Sequence, residues 1–385
     1  MTRNPEQAGP TKMWQYFPGH YMFSYQLVRI LAQAHYGGGE FNECLEAAAR
    51  IEPGNRESFH EAWTWQGRQV LARAEKALAE GRRTTARAHF LRASNYLRTA
   101  EFFLQPGDDR KLPTYLQAVE AFHRSLPYWR IPPDVVKVPY EGSHMPGYFF
   151  KAKATLTEPG PLVIMFGGLD SCAEELWFGP ALLLNERGVS VLVLDGPGQG
   201  GALRLNGLHT RHDYEVPATT AFDWAIANLP VDPGRIGIMA VSMGGYMAAR
   251  AAAFESRFRA CAIWGAVWNY SDTWDNRSDD HPLAPILMHI LGVDDMKSAR
   301  EKLQLFTLDG VAEQIRIPTF ISHGEDDRQN VVAHAYRLYE ALTCEKHLHI
   351  VPKEETGSAH CHVDNFTKAY PMLDWLAREL GSEEV

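Results

Sequence analysis

The sequence predicts an α/β protein, a mostly parallel, doubly wound sheet preceded by a helical segment. Three observations predict it. From Pro161 onward, short near-continuous apolar runs alternate with helical patterns, as strands buried on both faces do. Before Pro132-Pro133 the periodic segments have helical spacing throughout. The length, 385 residues with 45 % hydrophobic content, suits one large domain with a smaller one attached. The expected division is a helical domain over 1–132 and an α/β domain over 133–385, with an insert at 267–314 that adds to a cap or a pocket.

Residues 1 to about 12 are polar and expected to be disordered. Trp14 to Tyr25 carries six aromatics (Trp14, Tyr16, Phe17, Tyr21, Phe23, Tyr25). Two readings stay open for it: docking under the body, or a flap lining an aromatic pocket. Helices are expected at 21–35, 40–51, 57–79, 84–104 and 114–126, with Gly37-Gly38-Gly39 between the first two. Residues 135–140 and 147–152 alternate like strands. Buried strands follow at 162–166, 189–195, 235–241, 259–264, 319–323 and 347–351. Helices are expected at 173–187, 214–228, 244–254 and 366–380. The insert starts tryptophan-rich and turns helical at 283–291 and 296–305.

Composition excludes several function classes. Net charge is −9, and the arginines from Arg68 to Arg98 fall at helical spacing, as on a solvated face, so no nucleic-acid partner is expected. The five cysteines form no C-x-x-C, which argues against a disulfide framework and a zinc site. No metal and no cofactor is expected. Asp195-Gly196-Pro197-Gly198-Gln199-Gly200 lacks the Gly-Lys-Ser/Thr ending of a phosphate loop, and no G-x-G-x-x-G opens the first helix. That stretch reads as a structural turn that shapes the sheet edge. No run of about 18 apolar residues occurs, so no membrane partner is expected. The N-terminus lacks a signal pattern, which suggests a cytoplasmic protein.

The chemistry centres on Gly237 to Tyr246. An apolar strand turns sharply into a small-residue helix, and Ser242 sits at the turn between Ala240 and Gly244. This is the form of a nucleophile elbow, G-x-S-x-G, with Ala240 in place of the first glycine. Alone it also fits a helix N-cap serine. Acyl transfer by serine further needs a base, a group that orients the base, and oxyanion donors. The α/β-hydrolase order is Ser, acid, His, and each slot is filled in that order. The acid falls in His323-Gly324-Glu325-Asp326-Asp327, with Asp327 favoured and Asp326 open. The base falls in Gly357-Ser358-Ala359-His360-Cys361-His362, with His360 chosen and His362 its competitor. Cys361 reads as buried packing. The oxyanion donors are the N–H of Met243 and an N–H of the loop Gly167-Gly168-Leu169-Asp170, assigned to Leu169. The two glycines there let backbone approach substrate.

These motifs resemble α/β-hydrolases of the 2,6-dihydroxypseudooxynicotine hydrolase type, whose relatives include fungal polyketide-shortening hydrolases. The matching segments are Phe166-Gly167-Gly168-Leu169-Asp170-Ser171, Asp195 to Gly200, Val241-Ser242-Met243-Gly244-Gly245, Ile263-Trp264-Gly265, His323-Gly324 through Asp327, and His360-Cys361. The resemblance spans roughly 130–385 and, more loosely, the helical part. It implies a helical N-terminal cap, a Ser-Asp-His triad, a dimer, and cleavage of a carbon–carbon bond next to a ketone. Some members of that family carry an acid after the Trp264-Gly265 segment. Here Arg277 stands in that neighbourhood, with Asp272 and Asp275 close by.

The expectation is a serine hydrolase acting on an aromatic or polyketide-like small molecule. Gly168, Trp264, Trp268 and Tyr270 are expected to line its substrate site, and plain core packing is the other reading of the aromatic residues. An esterase, thioesterase or lactonase, a Claisen/Dieckmann-type cyclase, and a non-catalytic binder on the same fold are the alternatives.

Overall fold

A computed structural model describes residues 11–153, 156, 158–275 and 277–382. Residues 1–10, expected to be disordered, lie outside the described residues. The chain divides into two compact units. One comprises Trp14–Pro133 and Trp177–Gly179, and the remainder forms the other.

The first unit is helical: α1 (Tyr21–Gln33), α2 (Phe41–Ala48), α3 (Arg56–Ala79), α4 (Arg83–Glu101) and α5 (Lys111–Ser125). The Asn55 side chain caps α3 by accepting from the N–H groups of Glu57 and Ser58, donors that the first turn cannot satisfy internally. Gly67 lets α3 approach α4, since a Cβ there would lie 2.8 Å from Leu97 Cγ. The aromatic segment packs within this unit. Phe23 stacks on Phe103 at 5.0 Å and meets Phe59 edge-on at 5.4 Å.

The second unit holds one sheet. Its strands are β1 (Asp134–Tyr140), β2 (Ser143–Phe150), β3 (Gly160–Phe166), β4 (Ser190–Leu194), β5 (Val231–Val241), β6 (Ala260–Trp264), β7 (Thr319–Gly324) and β8 (Lys346–Val351). Their spatial order is β1-β2-β4-β3-β5-β6-β7-β8. β2 runs antiparallel to both of its neighbours, and the pairs from β4 through β8 are parallel. Every residue of β3, β4 and β6 is buried, which is why these strands read as continuous apolar runs rather than alternating ones. Register aligns their C-terminal ends: Phe166 pairs with Ala240, Val241 with Trp264, and Trp264 with Ser322. The loops after β3, β5, β6 and β7 therefore emerge on one edge, where parallel sheets place their sites.

Two expectations need correction. The helix expected over 173–187 is broken into α6 (Ala173–Leu176) and α7 (Leu182–Asn185), and the backbone leaves helical geometry at Phe178 and Gly179. Pro180 follows directly; it lacks an N–H and restricts the residue before it. Phe178 instead packs in the helical unit, 6.4 Å edge-on from Phe122. The second correction concerns the Asp195–Gly200 turn. β4 lies between β2 and β3, so the turn after it is interior rather than at the sheet edge.

The turn leads into a short α8 (Gly200–Arg204); α9 (Glu215–Asn228) and α10 (Gly244–Phe254) lie where helices were expected. The 267–314 insert contains an unanticipated α11 (Tyr270–Asp275) besides α12 (Ala284–Leu291) and α13 (Met296–Leu303). The chain continues with α14 (Ala333–Ala341) and ends in α15 (Tyr370–Glu379). Among the described residues no helix is long and apolar enough to cross a membrane.

Candidate active site

Ser242 stands between β5 and α10 with φ +63°. A non-glycine residue in this region is strained, at about 1–3 kcal/mol, and persists only where its surroundings fix it. Here the Ser242 N–H donates to Trp264 O at 2.8 Å, and its carbonyl accepts from Gly245 N at 2.7 Å. The small residues beside it are required. A Cβ on Gly244 would lie 2.6 Å from Gly167 O and 2.7 Å from the Ala240 methyl, and one on Gly245 would lie 2.2 Å from Gly265 O. Ala240 is thus tolerated because Gly244 lacks a side chain.

The sheet edge brings three of the expected residues together. Ser242 Oγ lies 2.7 Å from His360 Nε2, and His360 Nδ1 lies 2.6 Å from Asp327 Oδ2. The other Asp327 oxygen accepts from the N–H groups of Gln329 and Asn330, both at 2.8 Å. Asp326 faces elsewhere, toward Arg328 at 3.4 Å. His362 is also apart. It lies 2.8 Å from Ser322 Oγ and 2.5 Å from Gly357 O. Only a ring N–H can serve that carbonyl, so Nδ1 donates and Nε2 accepts from the Ser322 hydroxyl.

The electrostatics separate the two histidines. For His360, burial alone would disfavour the cation, but the Asp327 carboxylate outweighs burial and raises its pKa above the ordinary imidazole value. For Asp327, burial alone would raise the pKa, and the His360 partner holds it below the usual carboxylate range. Burial pushes His362 down to about 3, so it stays neutral.

The loop after β3 lies against the serine. A Cβ on Gly168 would fall 2.8 Å from Ser242 Cβ and 3.2 Å from its Oγ. Leu169 follows in that loop, half-buried, and Met243 opens α10, whose N-terminal dipole favours negative charge. Trp264 is fully buried, its ring against His362 and Phe366, and its carbonyl is what reaches Ser242. Trp268 donates through Nε1 to Asp309 at 3.1 Å and lies under the Arg337 guanidinium. Tyr270 is buried at the start of α11.

Several residues make contacts in the site that the sequence did not show. Gln199 Nε2 donates to Gly167 O at 2.7 Å, while its Oε1 accepts from Gly196 N at 3.2 Å. Asp195 accepts from Ala173 N and Gly201 N, both at 2.7 Å. Burial and the neighbouring Glu174 push Asp195 up to about 8. The Asp195–Gly200 turn thereby holds the glycine loop that faces Ser242. Its spacing was visible; its partner loop was not. His323 accepts from Ala266 N at 3.0 Å and donates to Asn330 O at 2.8 Å, tying the loop after β6 to the acid's loop. Cys361 Sγ lies 3.6 Å from His360 Nε2 and 3.5 Å from Trp264 O. Among the described residues no cluster of three or more His, Cys, Asp or Glu side chains is placed to hold a metal.

The model of the prolyl oligopeptidase family matches residues 179–383. Hydrolase acrC of Aspergillus aculeatus is 36 % identical over 285 residues; the match covers 69 % of this chain and 66 % of that protein, just under two thirds of it. Hydrolase LUC6 of a Fusarium species is 31 % identical across 96 % of this chain and 99 % of its own length. Among solved structures, 2,6-dihydroxy-pseudo-oxynicotine hydrolase superposes with a TM-score of 0.78 at 24 % identity, covering 91 % of this chain and 96 % of that one. At that identity the likeness is one of fold.

Proposed function

Because the chain belongs to the prolyl oligopeptidase family of α/β-hydrolases and is a hydrolase, we propose that Ser242 is its nucleophile, His360 its general base and Asp327 the group that orients His360. The observation that carries this reading is the continuous hydrogen-bonded line from Ser242 Oγ through His360 to Asp327, at 2.7 and 2.6 Å.

The reaction we infer is hydrolysis of a carbon–carbon bond next to a ketone in an aromatic or polyketide-like substrate. His360 Nε2 takes the Ser242 proton as Oγ bonds to the carbonyl carbon. The N–H groups of Met243 and Leu169 hold the oxyanion, each worth about 2.7–4 kcal/mol by analogy with a side-chain donor. Collapse breaks the carbon–carbon bond; its electron pair leaves as an enolate, which takes the proton from His360. Water then gives a proton to His360 and its oxygen to the acyl carbon, and Ser242 departs with the proton returned. A homodimer, a cytoplasmic setting and a capping role for the helical unit belong to the same reading.

An ester would be hydrolysed by the same groups. Mass spectrometry of products from a β-diketone and a matched ester decides between the two bonds, and rapid ester turnover with untouched diketone rejects the first. A fluorophosphonate probe tests the nucleophile: wild type is expected to label and Ser242→Ala is not. Labelling of both, or of neither, refutes the assignment.

A further inference from the structure

Among the described residues two arginines are buried, Arg98 and Arg277, and the second lacks a counter-charge. Arg98 pairs with Glu101 at 2.6 Å, and Arg204 with Asp170 at 2.6 Å. Arg277, just after α11, is only 8 % exposed. Its guanidinium donates to Gln329 Oε1 at 2.9 Å and lies 4.8 Å from the centre of the Trp274 ring. Among the described residues no carboxylate stands within ion-pair distance of it. Asp272 and Asp275, its near neighbours in sequence, do not pair with it. An unmatched buried charge is costly, and burial accordingly pushes the Arg277 pKa down. An indole face and one amide oxygen leave most of the fork's donors free for an anion.

The position connects this cation to the candidate site. Gln329, its hydrogen-bond partner, donates its backbone N–H to Asp327 Oδ1 at 2.8 Å. Thr273 of α11 reaches Asn330 on the same loop at 3.3 Å. Asp327 is close enough to act electrostatically on Arg277, without pairing with it. Asp327 is already spoken for by His360 and two backbone N–H groups.

We propose that Arg277 recognises a negatively charged pair of oxygens on the substrate, either a carboxylate or the enolate of a β-dicarbonyl. This deepens the reading of Ser242 as nucleophile and rests on it. Both anions are planar and offer two oxygens to the guanidinium fork. An enolate is also the leaving group of the carbon–carbon cleavage inferred above, so one cation would serve both binding and departure.

The test uses the full chain and synthetic probes. kcat/KM is measured for 4-nitrophenyl monoesters of succinic, glutaric and adipic acid, each against its neutral methyl-capped counterpart, and for the β-diketone benzoylacetone. Wild type is expected to prefer the charged ester of at least one pair by tenfold or more, or to cleave benzoylacetone. Arg277→Gln is expected to lose that activity at least tenfold, mainly through KM for the esters, and to lose far more of it than of neutral-ester turnover. Arg277→Lys should retain part of it. Loss confined to the esters assigns the site to carboxylates, and loss confined to benzoylacetone assigns it to enolates. No preference in any arm, or an equal fall for charged and neutral esters, overturns the proposal. Fluorophosphonate labelling of Ser242 in the same samples separates the two readings: unlabelled wild type removes both, and labelled wild type without preference removes Arg277 alone. Should Arg277→Gln not fold, inhibition of wild type by glutarate but not glutaramide gives the same decision, and equal or absent inhibition overturns it.

Discussion

Gly168→Ala places one methyl group between the loop after β3 and Ser242. The added carbon would lie 2.8 Å from Ser242 Cβ, 2.9 Å from Val241 O and 3.2 Å from Ser242 Oγ. Ordinary contact lies near 3.5–4.0 Å, so the loop after β3 has to retreat by about 1 Å. It cannot do so freely, because Gln199 holds Gly167 O at 2.7 Å and Gly200 N holds Ser171 O at 2.8 Å. Overpacking of this kind costs about 1–3 kcal/mol of stability, which a folded protein of this size survives. The effect on rate should be larger. A 1 Å misplacement of a reacting group costs about 10²-fold, and loss of one oxyanion donor about 10²–10³-fold. kcat/KM for a 4-nitrophenyl ester is therefore expected to fall about 10²–10³-fold while the circular dichroism spectrum is preserved. Gly107→Ala is the control, since a Cβ there meets nothing within 4 Å. A Gly168→Ala enzyme within threefold of wild type refutes the placement of this loop against Ser242.

Asp327→Asn should lower kcat/KM by about 10⁴-fold, the scale seen when a triad aspartate is neutralised, whereas Asp326→Asn should stay within threefold; steady-state kinetics on the two variants checks both. The sign of the pH effect follows from the partner charge. Asp327 raises the His360 pKa, so wild-type activity should climb through an acid limb above the ordinary imidazole value, and in Asp327→Asn the residual activity should show that limb moved to lower pH. Stability should also fall toward acid pH, because of three buried histidines. Burial lowers His323, lowers His334 to about 4 and lowers His362 to about 3. Below about pH 6.5 the unfolded chain binds protons that these folded side chains refuse, so stability is lost as pH falls toward the folded values. Urea unfolding at pH 6.5 and pH 5 should show a loss of up to about 2 kcal/mol per histidine, and His362→Gln should remove one such share of the slope.

The sheet was legible in the sequence because buried parallel strands are nearly uniform in character; β3, β4 and β6 announced themselves as apolar runs between helical patterns. Ser242, Asp327 and His360 were legible for a related reason. Each follows directly from a strand end or a last loop, and chain order constrains what can meet there. Phe178 was lost because a single Gly-Pro pair inside an amphipathic pattern was outweighed by the pattern around it. Gln199 was misread for a deeper reason. Its turn is local, but its role is to bind the carbonyl of Gly167, and that partner is supplied by strand order rather than by sequence spacing. Arg277 lies at the same limit. The sequence shows an arginine among tryptophans and aspartates, and only the packing shows that the tryptophan is its neighbour and the aspartates are not its partners.

The strained backbone positions explain why the site needs so much support. Asp170, Ser242, Cys361 and His362 all adopt positive φ without being glycine, at about 1–3 kcal/mol each. The four lie on three loops from different strands, so no local propensity can hold them. Each is fixed instead by a bond to another part of the sheet edge. Asp170 is clamped by Arg204, Ser242 by Trp264 O, Cys361 by the same carbonyl, and His362 by Ser322 and Gly357. Trp264 O thus accepts from both the Ser242 N–H and the Cys361 thiol. One carbonyl at the end of β6 sets the spacing between Ser242 and His360, and because β6 is paired on both sides within the sheet it cannot drift. The precision of the 2.7 Å contact between Ser242 and His360 is therefore a property of strand register.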